Sequence, residues 1–464
     1  MKIRKTIQII WDSLRGKEHD YTKGSLNEAL LLLSIPMIME MVMESLFAVV
    51  DIYFVSKLGD NDAVATVGLT ESVLMLVESV AIGVAMAATA MVARRIGEKN
   101  IPAASKAGMQ AVLLGVIVSL IVGVFAFIFA EDILRMMGGS ETLIEKGKSY
   151  TQIILSFNIV LMLLFLFNGI FRGAGNPAMA MYTLYLANGI NIVLDPCLIH
   201  GYFFFPKMGL EGAAIASVIG RGVGVLFQIY ILVKGYSIIK VYLKDLLPDI
   251  KLLKNLSKVS LGGAGQFLLS TASWIFLVRI LAGFGSSVLA GYTIGIRVII
   301  FTILPSWGLA NAAATLVGQN LGANQAERAE KTVWTAAKYN TFFLVFVAIV
   351  FFIFADPVLA MFTSDQAVIS EGSICLKILC TSYLFFGYGM IISQAFNGAG
   401  DTYTPTKINF IGNWIIQIPL AYGLAIYLGL GPTGVYSAIV IAALFIMIMA
   451  IYLFRKGKWK HVNL

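Results

Sequence analysis

Twelve predominantly apolar stretches, each long enough to cross a bilayer, constrain this chain more than any other feature. They lie at 27–55, 63–92, 107–130, 150–170, 178–200, 210–233, 257–282, 287–318, 339–361, 373–395, 407–429 and 432–454. A helix needs about 20 such residues to cross the hydrocarbon core, and the longer stretches leave room for tilt or a kink. Of the 464 residues, 58% are apolar and 13% charged, where soluble proteins carry about 25% charged residues. A soluble fold of this length lacks the interior to hide so much apolar surface. The expected class is an all-α integral membrane protein with twelve transmembrane helices.

Lys and Arg set the orientation of such a chain. With twelve spans both termini share a side, and 25 of the 34 basic residues fall on it. Six fall on the opposite side, and Arg221, Arg279 and Arg297 lie inside spans. The split predicts a multi-pass protein of the inner (plasma) membrane with both termini cytoplasmic. The formal charge of +8 is therefore topological, and no nucleic-acid partner is expected. No cleavable signal peptide is expected in residues 1–25, which are charged and carry only short apolar runs. Ile7–Leu14 reads either as an amphipathic surface segment or as an ordinary tail. Three cysteines and three histidines, widely scattered, give neither a disulfide framework nor a zinc site.

The chain is internally duplicated. Phe171-Arg172-Gly173-Ala174-Gly175-Asn176 matches Phe396-Asn397-Gly398-Ala399-Gly400-Asp401 at a shift of 225. The same shift carries Ala65 onto Ala290, Val92 onto Val317, Gly97 onto Gly322 and Asn188 onto Asn413. Each half supplies six spans, so the repeats run parallel and predict two pseudo-symmetric six-helix bundles. The expected organisation is a cytoplasmic segment (1–25), an N-lobe (26–233), a linker broken by Pro248 (234–256), a C-lobe (257–455) and a cytoplasmic tail (456–464). Two facing bundles suit alternating access, with substrate near the membrane midplane. A channel is less well served, because no filter ring or pore loop is evident.

The two halves differ in chemistry. Glu40, Glu44, Asp51, Glu71, Glu78 and Asp195 lie inside spans of the first half, whereas the second has only Asp356, near a span end. Ionisable groups there cost about 2.5–3.5 kcal/mol each on insertion scales, which makes each a candidate functional group. At about 100° per residue, Glu40, Glu44 and Asp51 share a sector of roughly 40°. Asn191 and Asp195 are one turn apart, and Pro196 frees the Ile192 carbonyl beside them. Carboxylate, amide and carbonyl oxygens suit a proton or Na⁺ rather than a soft metal. The competing reading is structural pairing of these acids with Arg221, Arg279 or Arg297. Pro36, one turn before Glu40, is placed to act as a hinge. No P-loop, HExxH or nucleophile–base set is present, so neither an enzyme nor a cofactor is expected. Energy would come from an ion gradient.

Ser34-Ile35-Pro36, Val50-Asp51-Ile52-Tyr53-Phe54-Val55 with Leu58-Gly59, Asn191-Ile192-Val193-Leu194-Asp195-Pro196, the Gly212–Ser217 run and the duplicated FxGAG turn occur in that order at the matching spans. In these motifs the chain resembles the multidrug and toxic compound extrusion (MATE) family over about residues 25–455. The resemblance implies a secondary antiporter that exports cationic or amphipathic organic compounds in exchange for H⁺ or Na⁺. It implies coupling at Asp51 and Asp195, assisted by Asn191, with Ser217 where relatives carry a Thr; these four would be the ligands of a Na⁺ ion. Glu44, Asn168, Glu40 and Gln266 are the expected substrate-cavity residues. Acids typical of the second half in the NorM-like branch are missing, which makes the chain more similar to the DinF-like branch. Its expected partners are small organic cations and membrane lipid, and a monomer is the expected functional unit. The alternative is a flippase for lipid-linked precursors, from the same superfamily.

Overall fold

The computed structural model describes residues 2–17, 19–240 and 242–464. A short helix, α1 (Lys2–Leu14), comes first. It exposes Ile7, Ile10 and Trp11 and is tied to the bundle where Ser13 Oγ donates to the Leu32 carbonyl at 2.7 Å. The first lobe follows as α2 (Leu26–Ser56), α3 (Asn61–Gly97), α4 (Ile101–Met136), α5 (Glu141–Ser156), α6 (Asn158–Gly173), α7 (Pro177–His200) and α8 (Leu210–Lys234). The second comprises α9 (Ile250–Ala282), α10 (Ser286–Gly322), α11 (Ala326–Ala360), α12 (Gln366–Cys380) and α13 (Tyr383–Ala399). It ends with α14 (Tyr403–Asn409), α15 (Ile418–Tyr422) and α16 (Pro432–Arg455). Each of α14 and α15 runs on into a π-helical stretch, Phe410–Gln417 and Gly423–Tyr427. No strand occurs among the described residues.

These helices make twelve spans in two bundles. Ten pass as membrane-crossing on length and apolarity, with α5–α6 and the segment Tyr403–Tyr427 each counting as one. The pair α12–α13, bent by 55°, is an eleventh. The twelfth is α7, whose 24 residues are long enough but diluted by Asn188, Asn191 and Asp195. The least apolar span is thus one that carries candidate chemistry. α9 starts within the stretch read as linker, because Asp249 caps it by accepting the Leu252 amide proton at 3.1 Å.

Backbone irregularities repeat at the same shift of 225 as the sequence. α4 kinks at Phe129 and α11 at Phe354. The break between α5 and α6 at Phe157 recurs between α12 and α13 at Ser382. Lys99 and Asn324 both take a left-handed conformation, with φ of 59° and 57°. Such details depend on local side chains and neighbours together, so their recurrence is strong evidence of a duplicated fold.

The lobes meet along two equivalent seams, α3 against α9 and α10 against α2. At the face carrying both termini the approach is closest. A Cβ on Gly97 would fall 1.9 Å from the Gln319 carbonyl oxygen, and one on Gly322 would fall 2.0 Å from that of Arg94. Lipid tails are as apolar as Leu, so close backbone packing of this kind, rather than water exclusion, holds membrane helices together. The same face is strapped by Arg94 and Arg95, which donate to the carbonyls of Val462 and Leu464 at 2.5 and 2.7 Å. Tyr21 donates its hydroxyl proton to the Gly175 carbonyl at 3.1 Å. The lobes are closed together at the terminal face.

Candidate functional site

Three helices of the N-lobe bring four of the expected residues together. Asp51 comes from α2, Asn191 and Asp195 from α7, and Ser217 from α8. Gly220, one turn beyond Ser217 (three residues on), lets α8 lie close to α7: a Cβ there would fall 2.9 Å from the Ala187 carbonyl oxygen. Ser217 Oγ donates to Asp51 Oδ2 at 2.6 Å, and Asn191 Nδ2 donates to Asp195 Oδ1 at 3.2 Å. The two carboxyl groups and the Asn191 amide lie close enough to act on one another's charge. Asn191, Asp195 and Ser217 are buried.

Each side group is only half satisfied. Asp51 Oδ1, Asp195 Oδ2 and Asn191 Oδ1 are buried without a hydrogen-bond partner among the described residues. Neighbouring carboxyl groups resist being ionised together, and a proton or small cation between them relieves the repulsion. The constellation therefore has the chemistry of a site that takes up and gives off a small cation.

Further acids surround it. Glu44, Glu71 and Glu78 lie within electrostatic reach of Arg221, and Glu71 within reach of Asp51 and Arg297. Arg221 stacks over the Phe47 ring with Cζ 4.4 Å from its centroid. Among the described residues, neither Asp51 nor Asp195 forms a direct ion pair with an arginine. The surroundings remain acidic, with Arg221 as a partial counterweight.

The remaining expected residues are dispersed. Glu40 is 1% exposed and accepts from Arg172 Nη1 at 2.7 Å, so its nearest partner is a guanidinium on α6. Asn168 Oδ1 accepts from Gln228 Nε2 at 2.6 Å between α6 and α8. Gln266 lies in the other lobe, where its Oε1 accepts from Asn397 Nδ2 at 3.2 Å. Pro36 sits inside α2, one turn before the Glu40–Arg172 pair. The structure adds Arg172 to the expected residues, a basic side chain next to the terminal face that turns inward to Glu40. Its signal was the duplicated turn, where Phe-Arg-Gly in one copy faces Phe-Asn-Gly in the other.

Comparison with known proteins adds an independent line. A family profile described as MatE matches residues 36–197 and 264–423, one match in each lobe. A relative from Thermotoga maritima, named "Probable multidrug resistance protein NorM", is 28% identical over 437 residues, spanning 94% of this chain and 93% of its own. The "Multidrug export protein MepA" of Staphylococcus aureus is 24% identical over 422 residues, 91% of this chain and 92% of its own. A solved structure described as the outward-facing conformation of a multidrug resistance MATE family transporter superposes with a TM-score of 0.88 at 26% identity. It covers 95% of this chain and 98% of that one.

Proposed function

We propose, from the premise that this chain belongs to the MatE family of plasma-membrane transporters, that it exports cationic or amphipathic organic compounds in exchange for inward protons. The observation that carries the reading is the convergence of Asp51, held by Ser217 at 2.6 Å, with Asp195, held by Asn191 at 3.2 Å, each keeping a buried carboxyl oxygen without a partner among the described residues. In the proposed cycle, a drug enters from the cytoplasm while the pair keeps at most one shared proton, so that it and the surrounding glutamates leave the N-lobe acidic. After reorientation, protons arriving from outside neutralise the pair, and the cavity loses attraction for a cation. Low dielectric magnifies that change, since charges in a dry interior interact more strongly than in water.

Orientation follows from the basic residues, which concentrate on the terminal face and mark it as cytoplasmic. With that face closed, the conformation described here is read as open to the outside. The pair could be reloaded directly from that side. Na⁺ is a second reading, favoured by the three unpartnered oxygens on Asp51, Asn191 and Asp195, which are hard ligands of the kind Na⁺ prefers. The flippase reading is not favoured: relatives are named for drug resistance and export, and an acidic cavity repels a pyrophosphate.

A hundredfold export gradient requires about 2.7 kcal/mol at about 1.4 kcal/mol per tenfold, and one net charge moving through 100 mV supplies about 2.3 kcal/mol. One proton exchanged for one monovalent cation moves no net charge, so the potential contributes only if a second proton enters, and the pH gradient supplies the rest. The test is ethidium efflux in vesicles with the pH and Na⁺ gradients collapsed separately. Asp51→Asn and Asp195→Asn are expected to abolish gradient-driven efflux while the protein still reaches the membrane. Unchanged efflux in either variant removes that residue from the mechanism, and efflux that survives loss of the pH gradient but not the Na⁺ gradient replaces the proton with Na⁺.

A further inference from the structure

The C-lobe holds a partly open cavity of about 440 Å³ walled by α9, α10, α12, α13, α14, α16 and the π-helical stretch Phe410–Gln417. That volume lies within the roughly 300–1,000 Å³ of small-molecule pockets. We propose that this cavity is a second ligand site, built for an uncharged planar heteroaromatic compound whose edge carries a lactam or imide.

The lining excludes charge. None of the residues around the cavity is Asp, Glu, Lys, Arg or His. At the shift of 225, Glu71 and Glu78 of the acidic lobe become Ile296 and Ile303, both of which face this cavity. A cation or anion entering it would be desolvated without a counter-charge, which is costly. The ligand must therefore be neutral, or neutralised within itself.

One wall offers amides instead. Asn409, Asn413 and Gln417 follow one another along the distorted span and face Gln266, Gln394 and Asn397. π-Helical turns are rare and occur frequently at functional sites; here one lies under the middle of this amide row. Asn397 is 3% exposed; its Nδ2 donates to Gln266 and Gln394 at 3.2 and 2.8 Å. Its Oδ1 is left buried with no partner among the described residues. Gln417 is 8% exposed and, among the described residues, its side chain makes no hydrogen bond. Asn409 and Asn413 reach Ser270 only at 3.5 and 3.4 Å. A buried polar group without a partner costs free energy, so this wall holds unused capacity both to donate and to accept. Amides present a donor and an acceptor side by side, which is the complement of a lactam or imide edge.

Two aromatic rings of the lining supply the flat contact. Phe267 and Trp307 meet edge to face, with ring centroids 5.5 Å apart and planes at 61°, and both line the cavity. Aromatic faces favour stacked or edge-on rings. A fused heteroaromatic can satisfy the amide row with its edge and these rings with its face. The site is thus chemically distinct from the acidic one in the N-lobe, and it does not depend on the ion-coupling reading.

The test uses the full chain in lipid nanodiscs and lumichrome, a neutral fluorescent tricyclic imide, with ethidium as the cationic comparison. Saturable lumichrome binding to the wild type is expected, undiminished by excess ethidium and by Asp195→Asn. Asn413→Leu and Gln417→Leu are each expected to weaken it by about tenfold, the size of one net hydrogen bond. Ser393→Phe, which fills the cavity from α13, is expected to abolish it. Ethidium binding retained by these variants certifies the fold. The proposal is overturned if the wild type fails to bind lumichrome, if folded Ser393→Phe binds it as the wild type does, or if ethidium and Asp195→Asn remove it. Failure of the coupling reading would appear instead as unimpaired efflux in Asp195→Asn, with lumichrome binding untouched.

Discussion

Glu40 and Arg172 form an ion pair whose side chains are only 1% and 12% exposed, at 2.7 Å, between α2 and α6. Replacing either partner alone by Met leaves the other charge buried without compensation, a loss of about 3–5 kcal/mol. The two losses are not equivalent. In Arg172→Met the remaining Glu40 can escape by taking up a proton, so the penalty should shrink as pH is lowered. In Glu40→Met the guanidinium has no such exit, because Arg cannot be deprotonated in proteins. The double variant replaces the pair by two apolar chains of similar length, which is often neutral or stabilising by about 1–4 kcal/mol. Unfolding in mixed micelles followed by tryptophan fluorescence, at two pH values, measures all three. A coupling free energy near 3 kcal/mol or more is expected, with the double variant close to wild type. Ethidium efflux should follow stability, being lost in the single variants and restored in the double. Additive losses would refute the clamp, and a stable double variant that fails to export ethidium would return Glu40 to the substrate cavity.

Three further outcomes are expected. Ser217→Ala removes the 2.6 Å donor to Asp51 and should slow coupled efflux by about tenfold or more, the size of one hydrogen bond to a charged group; Ser217→Thr keeps the hydroxyl and should restore it, and an unaltered Ala rate would exclude the role. Gly97→Val places a branched side chain where even a Cβ meets the Gln319 carbonyl at 1.9 Å, so spin labels at Lys99 and Asn324 should move apart. An unchanged distance would show that the terminal face closes by another route. Asp249, outside the spans, accepts from Lys106 Nζ at 2.6 Å, and that bond, with its capping of α9, holds its carboxyl below the usual carboxylate range. Its folded value lies below its unfolded one, so its contribution is present above about pH 4 and is lost as pH falls through the folded value. Asp249→Asn keeps the cap and should flatten the acid limb of thermal stability between pH 5 and 3; an identical limb would remove Asp249 from it.

The sequence by itself determined the number of spans, the duplication and the concentration of buried acids in one lobe. Each is written in one dimension: apolar length against bilayer thickness, a constant shift between matching residues, and acidic letters inside apolar runs. The Asn191–Asp195 pairing was legible too, since it rests on helical periodicity alone. Which helices face one another is not written this way. Only the tertiary structure decided that Ser217 on α8 holds Asp51, that Glu40 is taken by Arg172, and that Gln266 lines a cavity without charged residues. Apolar spans carry little information about their neighbours, because lipid and protein are equally welcoming to a leucine. Partner choice falls to a few glycines that allow close approach and to polar side chains separated by more than a hundred residues.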